Sequence, residues 1–243
     1  MISPETKIAV ITGGGTGLGK AMAQQLADRH LMVYIIGRRL ACLQQTRGYA
    51  PEKIRFIQAD ISHAPGRSRI IPHLQGKPIH YLIHNAAIVT PITPLEKITH
   101  RAWRKIQATN VEAPLFLTQQ LLPQFASQAR ILHISSDCAH YPLAHWIPYC
   151  TSKAALQMMY GCLKKEFQSR ALFIGSVDPG MMDTPMQRYI CEKAGDFPEK
   201  MSMETLQQQA LIHSPEYSAA FCVKLLLETT SEVFSAQAWQ IAN

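Results

Sequence analysis

Seven short apolar segments alternate along the chain with longer segments whose apolar residues recur at helical spacing. Several apolar segments are continuous, which is typical of strands buried on both faces of a parallel sheet. We predict strands at residues 7–12, 31–37, 54–60, 79–85, 130–136, 172–177 and 238–242. We predict helices at residues 17–29, 65–74, 99–125, 149–169 and 214–228. This alternation predicts one α/β domain over residues 1–243, a doubly wound parallel sheet of about seven strands with helices on both faces.

The last predicted helix carries a start signal of its own. Ser214 is a favoured N-cap residue, Pro215 suits the first helical position, and Glu216 falls in the first turn. We therefore expect this helix to begin at Pro215.

Glycine and polar residues cluster directly after six of the seven predicted strands. These clusters occupy residues 13–19, 37–39, 60, 85–87, 135–136 and 178–180. In doubly wound sheets, ligands bind outside the carboxyl ends of the strands. The pattern therefore predicts one ligand site along this edge of the sheet.

The first cluster lies in the segment AVITGGGTGLGKAMAQQL and has the glycine content of a phosphate-binding loop. The Walker A pattern of ATP-binding loops fails, because Ala21 stands where a hydroxyl residue must hold Mg²⁺. The pattern G-x-G-x-x-G also fails in every frame. The pattern T-G-x-x-x-G-x-G fits, at Thr12, Gly13, Gly17 and Gly19. Such glycines allow the backbone to approach a dinucleotide pyrophosphate, which the N-terminus of the following helix also attracts.

Composition and charge exclude several classes of protein. The chain has 243 residues, of which 47% are hydrophobic and 17% charged, so it is not a disordered chain. The net charge of +7 raises the question of nucleic acid. However, no basic run exceeds two residues and no nucleic-acid motif is present, so we expect no nucleic-acid partner. A basic surface also suits an anionic cofactor.

The cysteines and histidines give no sign of a disulfide framework or a metal site. The six cysteines are scattered without a C-x-x-C pair, which indicates reduced thiols. The ten histidines lack ligand spacing, so we expect no metal. We find no signal peptide and no membrane-spanning segment, and we expect a cytoplasmic protein without a membrane partner.

The residues after the second predicted strand bear on the choice of cofactor. An NAD site places an acidic residue about 20 residues beyond the glycine loop, to bind the ribose hydroxyls. Arg38 and Arg39 stand there instead, and guanidinium groups bind a 2′-phosphate that a carboxylate would repel. Asp28, the nearby acid, lies within the first helix. We therefore predict NADP(H), the alternative being that this arginine pair lies in a solvated loop.

Tyr149 and Lys153, in the segment WIPYCTSKAALQMMYG, are spaced to share one face of a helix. A phenol with a pKa near 10 is a poor acid–base catalyst at neutral pH unless a cation lowers that pKa. Lys153, together with an oxidised nicotinamide, could supply that positive charge. The pair alone is a weak signal, but it follows a predicted strand that ends in Ser135 and Ser136.

Taken together, these motifs resemble those of the short-chain dehydrogenase/reductase family over essentially the whole chain. Besides the glycine loop and Y-x-x-x-K, the matching features are an N-A-G-like segment at residues 84–87, Asn110, I-S-S at residues 134–136 and P-G at residues 179–180. The resemblance implies a Rossmann-like fold and a catalytic tetrad of Asn110, Ser136, Tyr149 and Lys153.

The resemblance also implies a role for each member of the tetrad. Ser136 would hydrogen-bond the substrate carbonyl, and Tyr149 would give its proton to the developing alkoxide. Lys153 would bind the ribose hydroxyls and lower the pKa of Tyr149. Asn110 would hold a water that links Lys153 to solvent, and a buried asparagine satisfying a backbone group is compatible with that role.

The family's cofactor residues carry over onto matching positions. Asp60 and Ile61 match residues that contact adenine, Asn85 matches the asparagine that ties the central strands, and Thr184 matches a threonine near the carboxamide. The implied site consists of Thr12, Gly13, Gly15, Thr16, Gly17, Leu18, Gly19, Arg38, Arg39, Asp60, Ile61, Asn85, Ala86, Ala87, Tyr149, Lys153, Pro179, Gly180, Met182 and Thr184.

This sequence departs from the family pattern at three places. His84 replaces the first asparagine of N-N-A-G and Ala87 replaces its glycine, so we expect a local shift of the backbone there. Neither lysine nor arginine precedes Gly17, which removes one of the family's two common NADP signals.

Within the family, the segments HNAAIVTPITPLEKIT, YCTSKAALQMM, DPGMMDTPMQ and HSPEYSA most resemble the sepiapterin reductase and benzil reductase branch. That likeness implies reduction of a ketone next to another carbonyl, on a planar or aromatic small molecule. Residues 181–213 would form the substrate lid, rich in methionine, with Tyr189 and Phe197 available to stack on a ring. The predicted substrate residues are Ser136, Tyr149, Met181, Met186 and Tyr189. Methionines that only fill the core are the alternative.

Other functions within and outside the family remain alternatives. The first is reduction of a 3-oxoacyl thioester or general alcohol dehydrogenation, and the second is an NADP(H)-binding sensor or scaffold without chemistry. The helical segments 99–125 and 149–169 resemble the surfaces by which family members pair. We therefore expect a homodimer or homotetramer.

Overall fold

A computed structural model describes residues 6–192, 197–198 and 200–241. The strands are β1 Ile8–Thr12, β2 Met32–Gly37, β3 Ile54–Gln58, β4 Ile79–His84, β5 Phe125–Ile134, β6 Leu172–Asp178 and β7 Ala238–Gln240. The α-helices are α1 Gly17–Asp28, α2 Leu40–Tyr49, α3 Ala64–Ser68, α4 Ile71–Leu74, α5 His100–Gln107, α6 Ala113–Leu121, α7 Ile147–Glu166, α8 Pro185–Glu192, α9 Met203–Gln208, α10 Pro215–Glu228 and α11 Ser231–Ala236.

The seven strands form one parallel sheet in the order β3-β2-β1-β4-β5-β6-β7. The chain winds outward from β1 to β3, then returns to place β4 on the other side of β1. The carboxyl ends of β1 and β4 therefore border the crevice at which doubly wound sheets bind ligands. The predicted fold class is confirmed.

Each face of the sheet is covered by its own apolar layer. On one face, α1 and α10 contribute residues such as Leu26 and Leu226, and Phe234 of α11 joins them. On the other face lie residues of α4, α6 and α7, including Leu117 and Leu163. All five residues of β1 are buried, which explains why the strand is apolar at every position.

The predicted helix at residues 99–125 is divided in the structure. It consists of α5, a π-helical turn at Ala108–Glu112, α6 and a 3-10 turn at Leu122–Gln124. Pro123 lies in that last turn, and its missing N–H and fixed ring geometry oppose continuation of an α-helix. Phe125 therefore begins β5, five residues before the predicted strand.

Other helices also differ from the pattern, and α8, α9 and α11 were not among the predicted helices. The predicted helix at residues 65–74 is two short helices, with Pro72 in the first turn of α4. Helix α2 was not predicted, because Leu43 and Thr46 are its only fully buried residues and leave a weak periodic signal. Helix α7 begins two residues before its predicted start.

The start signal of α10 is confirmed. The Ser214 hydroxyl accepts a hydrogen bond from the backbone N–H of Tyr217 at 3.1 Å, and Pro215 is the first helical residue. Within the described ranges, none of the helices has the length and apolar character needed to cross a membrane.

Candidate active site

A cavity of about 580 Å³ opens at the carboxyl ends of β1, β2, β4, β5 and β6. Most of the predicted site residues line it, because parallel strands bring the segments that follow them to one edge. Those residues are Gly13, Gly15, Thr16, Gly17, Leu18, Arg38, Arg39, Asp60, Ile61, Asn85, Ala86, Ala87, Ser136, Tyr149, Lys153, Pro179, Gly180, Met181, Met182, Thr184 and Met186.

Four predicted site residues lie elsewhere. Thr12 and Asn110 are buried behind the wall of the cavity, and Gly19 packs against Gly13. Tyr189, predicted to contact substrate, does not line the cavity but packs beside it against an apolar cluster that contains Trp146. Pro185, Met186, Gln187 and Ile190 of α8 line the cavity, whereas Tyr189 lies on the part of the helix that faces away from it.

The glycine loop is tightly packed against the end of β4. Gly13 and Gly17 have φ values of 72° and 53°, in the left-handed region that favours glycine. A Cβ atom on Gly13 would lie 2.8 Å from Asn85 Nδ2, and one on Gly19 would lie 2.5 Å from the Gly13 carbonyl oxygen. The loop therefore tolerates no side chain at either position.

The N-terminus of α1 is open to an anionic group. Thr16 occupies the N-cap position, but its side chain makes no capping hydrogen bond, so the first N–H groups of the helix keep their donor capacity. Residues 15–18 at this helix end line the cavity. A glycine cradle that closes on an uncapped helix N-terminus fits a dinucleotide pyrophosphate.

Thr12 and Asn85 join β1 to β4 directly behind the cavity. Asn85 Nδ2 donates to the Thr12 carbonyl at 2.9 Å, and the backbone N–H groups of Asn85 and Ala86 each donate to Thr12 Oγ1 at 3.1 Å. These bonds fix the register of the two strands at the point where their ends diverge.

The two arginines after β2 border one end of the cavity. Arg39 Nη2 donates to Thr16 Oγ1 at 3.3 Å, which brings a guanidinium onto the glycine loop. Arg38 Nη1 lies 3.8 Å from Asp60 Oδ2, and about half of the Arg38 side chain is exposed. An ion pair this long and exposed contributes little, so the Arg38 guanidinium is available to a ligand.

Lys153 is buried and reaches toward Tyr149. Its Nζ donates to the carbonyl oxygens of Ile134 and Ser135 at 2.8 and 3.4 Å. Nζ also lies 5.6 Å from the centre of the Tyr149 ring. Burial lowers the pKa of Lys153 to about 8, because the charged amine has lost most of its water.

Tyr149 is an acid that holds its proton firmly. Burial raises the pKa of its phenol well above the usual value, the carboxylates of Asp137 and Asp178 raise it further, and hydrogen bonding with Ser136 partly offsets this. Burial and the nearby carboxylates dominate the pKa of this phenol, and the lowering expected from Lys153 beside an oxidised nicotinamide stays a prediction.

Ser136 is held by the turn that it begins. Its hydroxyl donates to Asp137 Oδ1 at 3.0 Å and accepts from the Cys138 backbone N–H at 3.3 Å, which caps the 3-10 turn Asp137–Ala139. Asp137 is exposed and lines the cavity. Sequence reasoning missed this carboxylate, and its position directly after the serine pair was the available signal.

Asn110 has a structural role in the geometry. Its Oδ1 accepts from the Ile88 N–H at 2.9 Å, and its Nδ2 donates to the Ile88 carbonyl and to Ser152 Oγ, both at 2.9 Å. Asn110 lies in the π-helical turn between α5 and α6, a deviation often found at functional sites. It thereby ties that turn to the segment after β4 and to α7.

The other end of the cavity is apolar; the sequence analysis predicted methionines and Phe197 for it but missed Trp146. The indole of Trp146 packs edge-on against Tyr149 and Phe197, with ring centres 5.8 and 5.4 Å apart. Leu143 and Ile190 complete this wall. Trp146 stands three residues before Tyr149, and helical spacing could have placed both side chains on one face.

The segment predicted as a lid leaves the body of the fold and returns to the same point. The His213 N–H donates to the Met181 carbonyl at 2.8 Å, and the Asp183 N–H donates to the His213 carbonyl at 3.0 Å. The two ends of the segment are therefore joined, with α8 and α9 between them. Residues 193–196 and 199 of the predicted lid lie outside the described residues.

His84, one of the departures from the family motif, forms a buried pair with His133. Their ring centres are 5.3 Å apart, and His84 Nε2 lies 2.8 Å from Thr118 Oγ1. The other three ring nitrogens have no hydrogen-bond partner among the described residues. Burial lowers the pKa of His84 well below its usual value and that of His133 to about 4, so both rings are neutral at pH 7. In the described part of the chain, no three His, Cys, Asp or Glu residues are grouped as metal ligands.

Comparison with known proteins agrees with this geometry. The family model described as "short chain dehydrogenase" matches residues 7–195. A benzil reductase ((S)-benzoin forming) of Bacillus cereus is 30% identical, with 92% of this chain and 94% of that protein covered. An L-xylulose reductase of Caenorhabditis elegans is 31% identical, with 75% and 74% covered. The crystal structure of a short chain dehydrogenase/reductase from Saccharomyces cerevisiae has a TM-score of 0.84 at 25% identity, with 96% and 95% covered.

The buried histidine pair predicts acid sensitivity. Between pH 6.5 and pH 4, the unfolded chain binds protons at His84 and His133 that the folded chain excludes, so stability falls as the pH is lowered through this window. Each group contributes a slope of up to about 1.4 kcal/mol per pH unit. We expect His133→Leu to reduce the loss of unfolding free energy between pH 7 and pH 5, measured by urea denaturation. His73→Leu, at an exposed position on α4, is the control, and an H133L slope equal to that of the parent protein would contradict the prediction.

Proposed function

This chain belongs to the short-chain dehydrogenase family, and on that premise we propose that it is an NADPH-dependent carbonyl reductase. Its substrate would be a small ketone, in a dicarbonyl or an aromatic or pterin-type molecule, which it converts to an alcohol. The observation that carries the proposal is the single cavity shared by Ser136, Tyr149, Lys153 and the glycine loop.

The cofactor site is assigned from the fit of this cavity. The glycine loop and the N-terminus of α1 would hold the pyrophosphate, and Arg38 and Arg39 would hold the 2′-phosphate. Lys153, whose amine reaches the cavity, would bind the ribose hydroxyls. When bound, NADPH supplies the hydride that is added to the carbonyl carbon.

The protein's own groups handle the proton. The Ser136 hydroxyl, which donates to Asp137, turns its proton to the substrate oxygen instead. Tyr149 then donates its phenolic proton to that oxygen as negative charge develops there. Tyr149 enters the reaction protonated, but its raised pKa opposes release of that proton, so the transfer depends on Lys153. The Lys153 ammonium stabilises the phenolate that is left, which burial and two nearby carboxylates make costly.

Replacement of Tyr149 by phenylalanine tests the proton donor. Y149F keeps the ring and its contact with Trp146 but has no proton to give, so turnover should fall by at least about a hundredfold. NADPH affinity, measured by fluorescence titration, should stay within about twofold. Tyr160→Phe is the control, because its phenol lies on the same helix and donates to the Ser235 carbonyl. Substantial residual activity in Y149F would show that Tyr149 is not the proton donor.

The preference for NADPH is supported by the two guanidinium groups beside the cavity. Each charge-assisted hydrogen bond to a phosphate is worth about 1.5–3 kcal/mol, roughly ten- to a hundredfold in affinity. Arg38→Ala and Arg39→Ala should therefore each lower kcat/KM for NADPH by about that factor, with little change for NADH. Arg29→Ala is the control, since Arg29 pairs with Glu228 at 2.8 Å and does not line the cavity. An unaltered protein that uses NADH as efficiently as NADPH would end this proposal.

The apolar end of the cavity supports a substrate with a flat, largely apolar body. Trp146 and Phe197 supply aromatic surfaces, and Met181, Met186 and Met201 supply adaptable ones. The benzil reductase relative supports a ketone next to a second carbonyl. A panel of diketones with NADPH tests the class: consumption supports catalysis, and binding of NADPH without consumption would favour a sensor.

We further propose that the chain forms a homodimer or homotetramer through α5, α6 and α7. These helices expose large apolar side chains on their outer surfaces, namely Trp103, Leu115, Phe116 and Met158. Such side chains on a helical surface favour burial against a second copy. Sedimentation should show a dimer or tetramer, and Met158→Glu should shift it toward the monomer. Leu95→Glu is a matched control, because Leu95 is also 70% exposed but lies outside these helices.

A further inference from the structure

We infer that Trp146 recognises the oxygen that does not react, by donating its indole N–H to the second carbonyl of a dicarbonyl substrate. The inference rests on the proposed carbonyl reductase function and assigns a specificity-determining residue to it. Three observations support it: Trp146 lines the cavity, its indole N–H has no hydrogen-bond partner among the described residues, and its neighbours are apolar.

Trp146 is built into the catalytic part of the cavity. It is the N-cap residue of α7, one turn before Tyr149 on the same helix, and it lines the same cavity as Ser136 and Tyr149. Only 6% of the residue is exposed, and its ring is held between Tyr149 and Phe197. The indole is therefore a fixed wall beside the group that donates the proton.

The indole N–H of Trp146 lacks a hydrogen-bond partner among the described residues. Buried tryptophans usually place this donor against an acceptor, because an unpaired buried N–H costs free energy. Trp239 of the same chain follows that rule, since its Nε1 donates to the Phe234 carbonyl at 3.1 Å. An unsatisfied donor in a cavity wall is the feature expected of a group reserved for a ligand oxygen.

The surroundings of Trp146 supply apolar contacts and no fixed acceptor for its N–H. Val89, Ile92, Cys138 and Phe197 belong to the same buried cluster. A flat apolar substrate can replace such contacts, and its own oxygen can then satisfy the donor. Nε1 is buried and Phe197 packs on the indole, so the inference requires Phe197 to move aside as the substrate reaches Nε1.

Two sets of donors then serve two neighbouring oxygens. Ser136 and Tyr149 engage the carbonyl that is reduced, and Trp146 engages the oxygen on the adjacent carbon. A simple ketone leaves the Trp146 N–H unpaired. Sites built with a buried donor discriminate strongly against analogues that lack the matching acceptor.

The test compares benzil with deoxybenzoin, which has the same two phenyl rings and only one carbonyl. Trp146→Phe retains an aromatic wall and removes only the N–H donor and part of the ring. We expect W146F to lower kcat/KM for benzil by about tenfold, as loss of one hydrogen bond implies, and to change deoxybenzoin by less than about twofold. The double ratio is the factor by which W146F lowers kcat/KM for benzil divided by the factor for deoxybenzoin. It cancels the different intrinsic reactivities of the two ketones.

A binding measurement gives a second readout that does not depend on turnover. In the Y149F protein with NADPH bound, calorimetry should give tighter binding of benzil than of deoxybenzoin, and W146F should remove about tenfold of that difference. Trp239→Phe is the matched control, because its N–H is satisfied within the protein, and it should leave the double ratio unchanged.

The outcomes separate the inference from the function on which it rests. If the unaltered protein reduces neither ketone, nor any other in a diketone panel, the proposed function fails. If it reduces ketones but W146F affects benzil and deoxybenzoin equally, or affects neither, the role of Trp146 is wrong. If W146F does not fold, equal affinities of the Y149F protein for the two ketones would overturn the inference without that variant, and a preference for benzil would support it.

Discussion

The site depends on one buried charge, the ammonium of Lys153, held by two carbonyl oxygens at the end of β5. Its bonds to Ile134 and Ser135 connect the middle of α7 to the centre of the sheet. Because an α-helix is rigid, this anchor also sets the rotation of α7 and aims Tyr149, one turn earlier, into the cavity. The anchor lies directly before Ser136, so the same contact brings Tyr149 and the serine to one cavity.

The electrostatics of the site follow from how deeply these groups are buried. Burial penalises the charged forms of both Lys153 and Tyr149, which lowers the pKa of the amine and raises that of the phenol. Asp137 and Asp178 oppose a phenolate as well, so a negative charge on Tyr149 would need the ammonium nearby. In the proposed reaction, a neutral phenol and a cation would become an ion pair, and the lysine would contribute most after the proton has left.

The sequence predicted the sheet well because its central strands are buried on both faces and are therefore apolar at most positions. The position of the site could be predicted from the sheet. All strands of a parallel sheet end at the same edge, so motif residues that are far apart in sequence lie close together there. The sequence was less informative about properties that depend on burial and packing. The hydrophobic pattern alone does not reveal that desolvation dominates the pKa of Tyr149, or that α8 turns Met186 rather than Tyr189 toward the cavity. Likewise, helix α2 was not predicted, because it buries only two residues and its periodic apolar pattern is weak.

The two ends of the cavity are built by different parts of the chain, which separates the choice of cofactor from the choice of substrate. The polar end consists of the glycine loop and the arginines after β2, fixed to the sheet by Thr12 and Asn85. The apolar end consists of the start of α7 and the segment predicted as a lid, whose ends are joined at Met181 and His213. Changes in this segment can therefore reshape the apolar end of the cavity without moving the glycine loop. The exception is Thr184, which lies so close to Gly17 that a Cβ atom added to this glycine would be 3.0 Å from Thr184 Cγ2. This close packing couples the position of the predicted lid to the glycine loop.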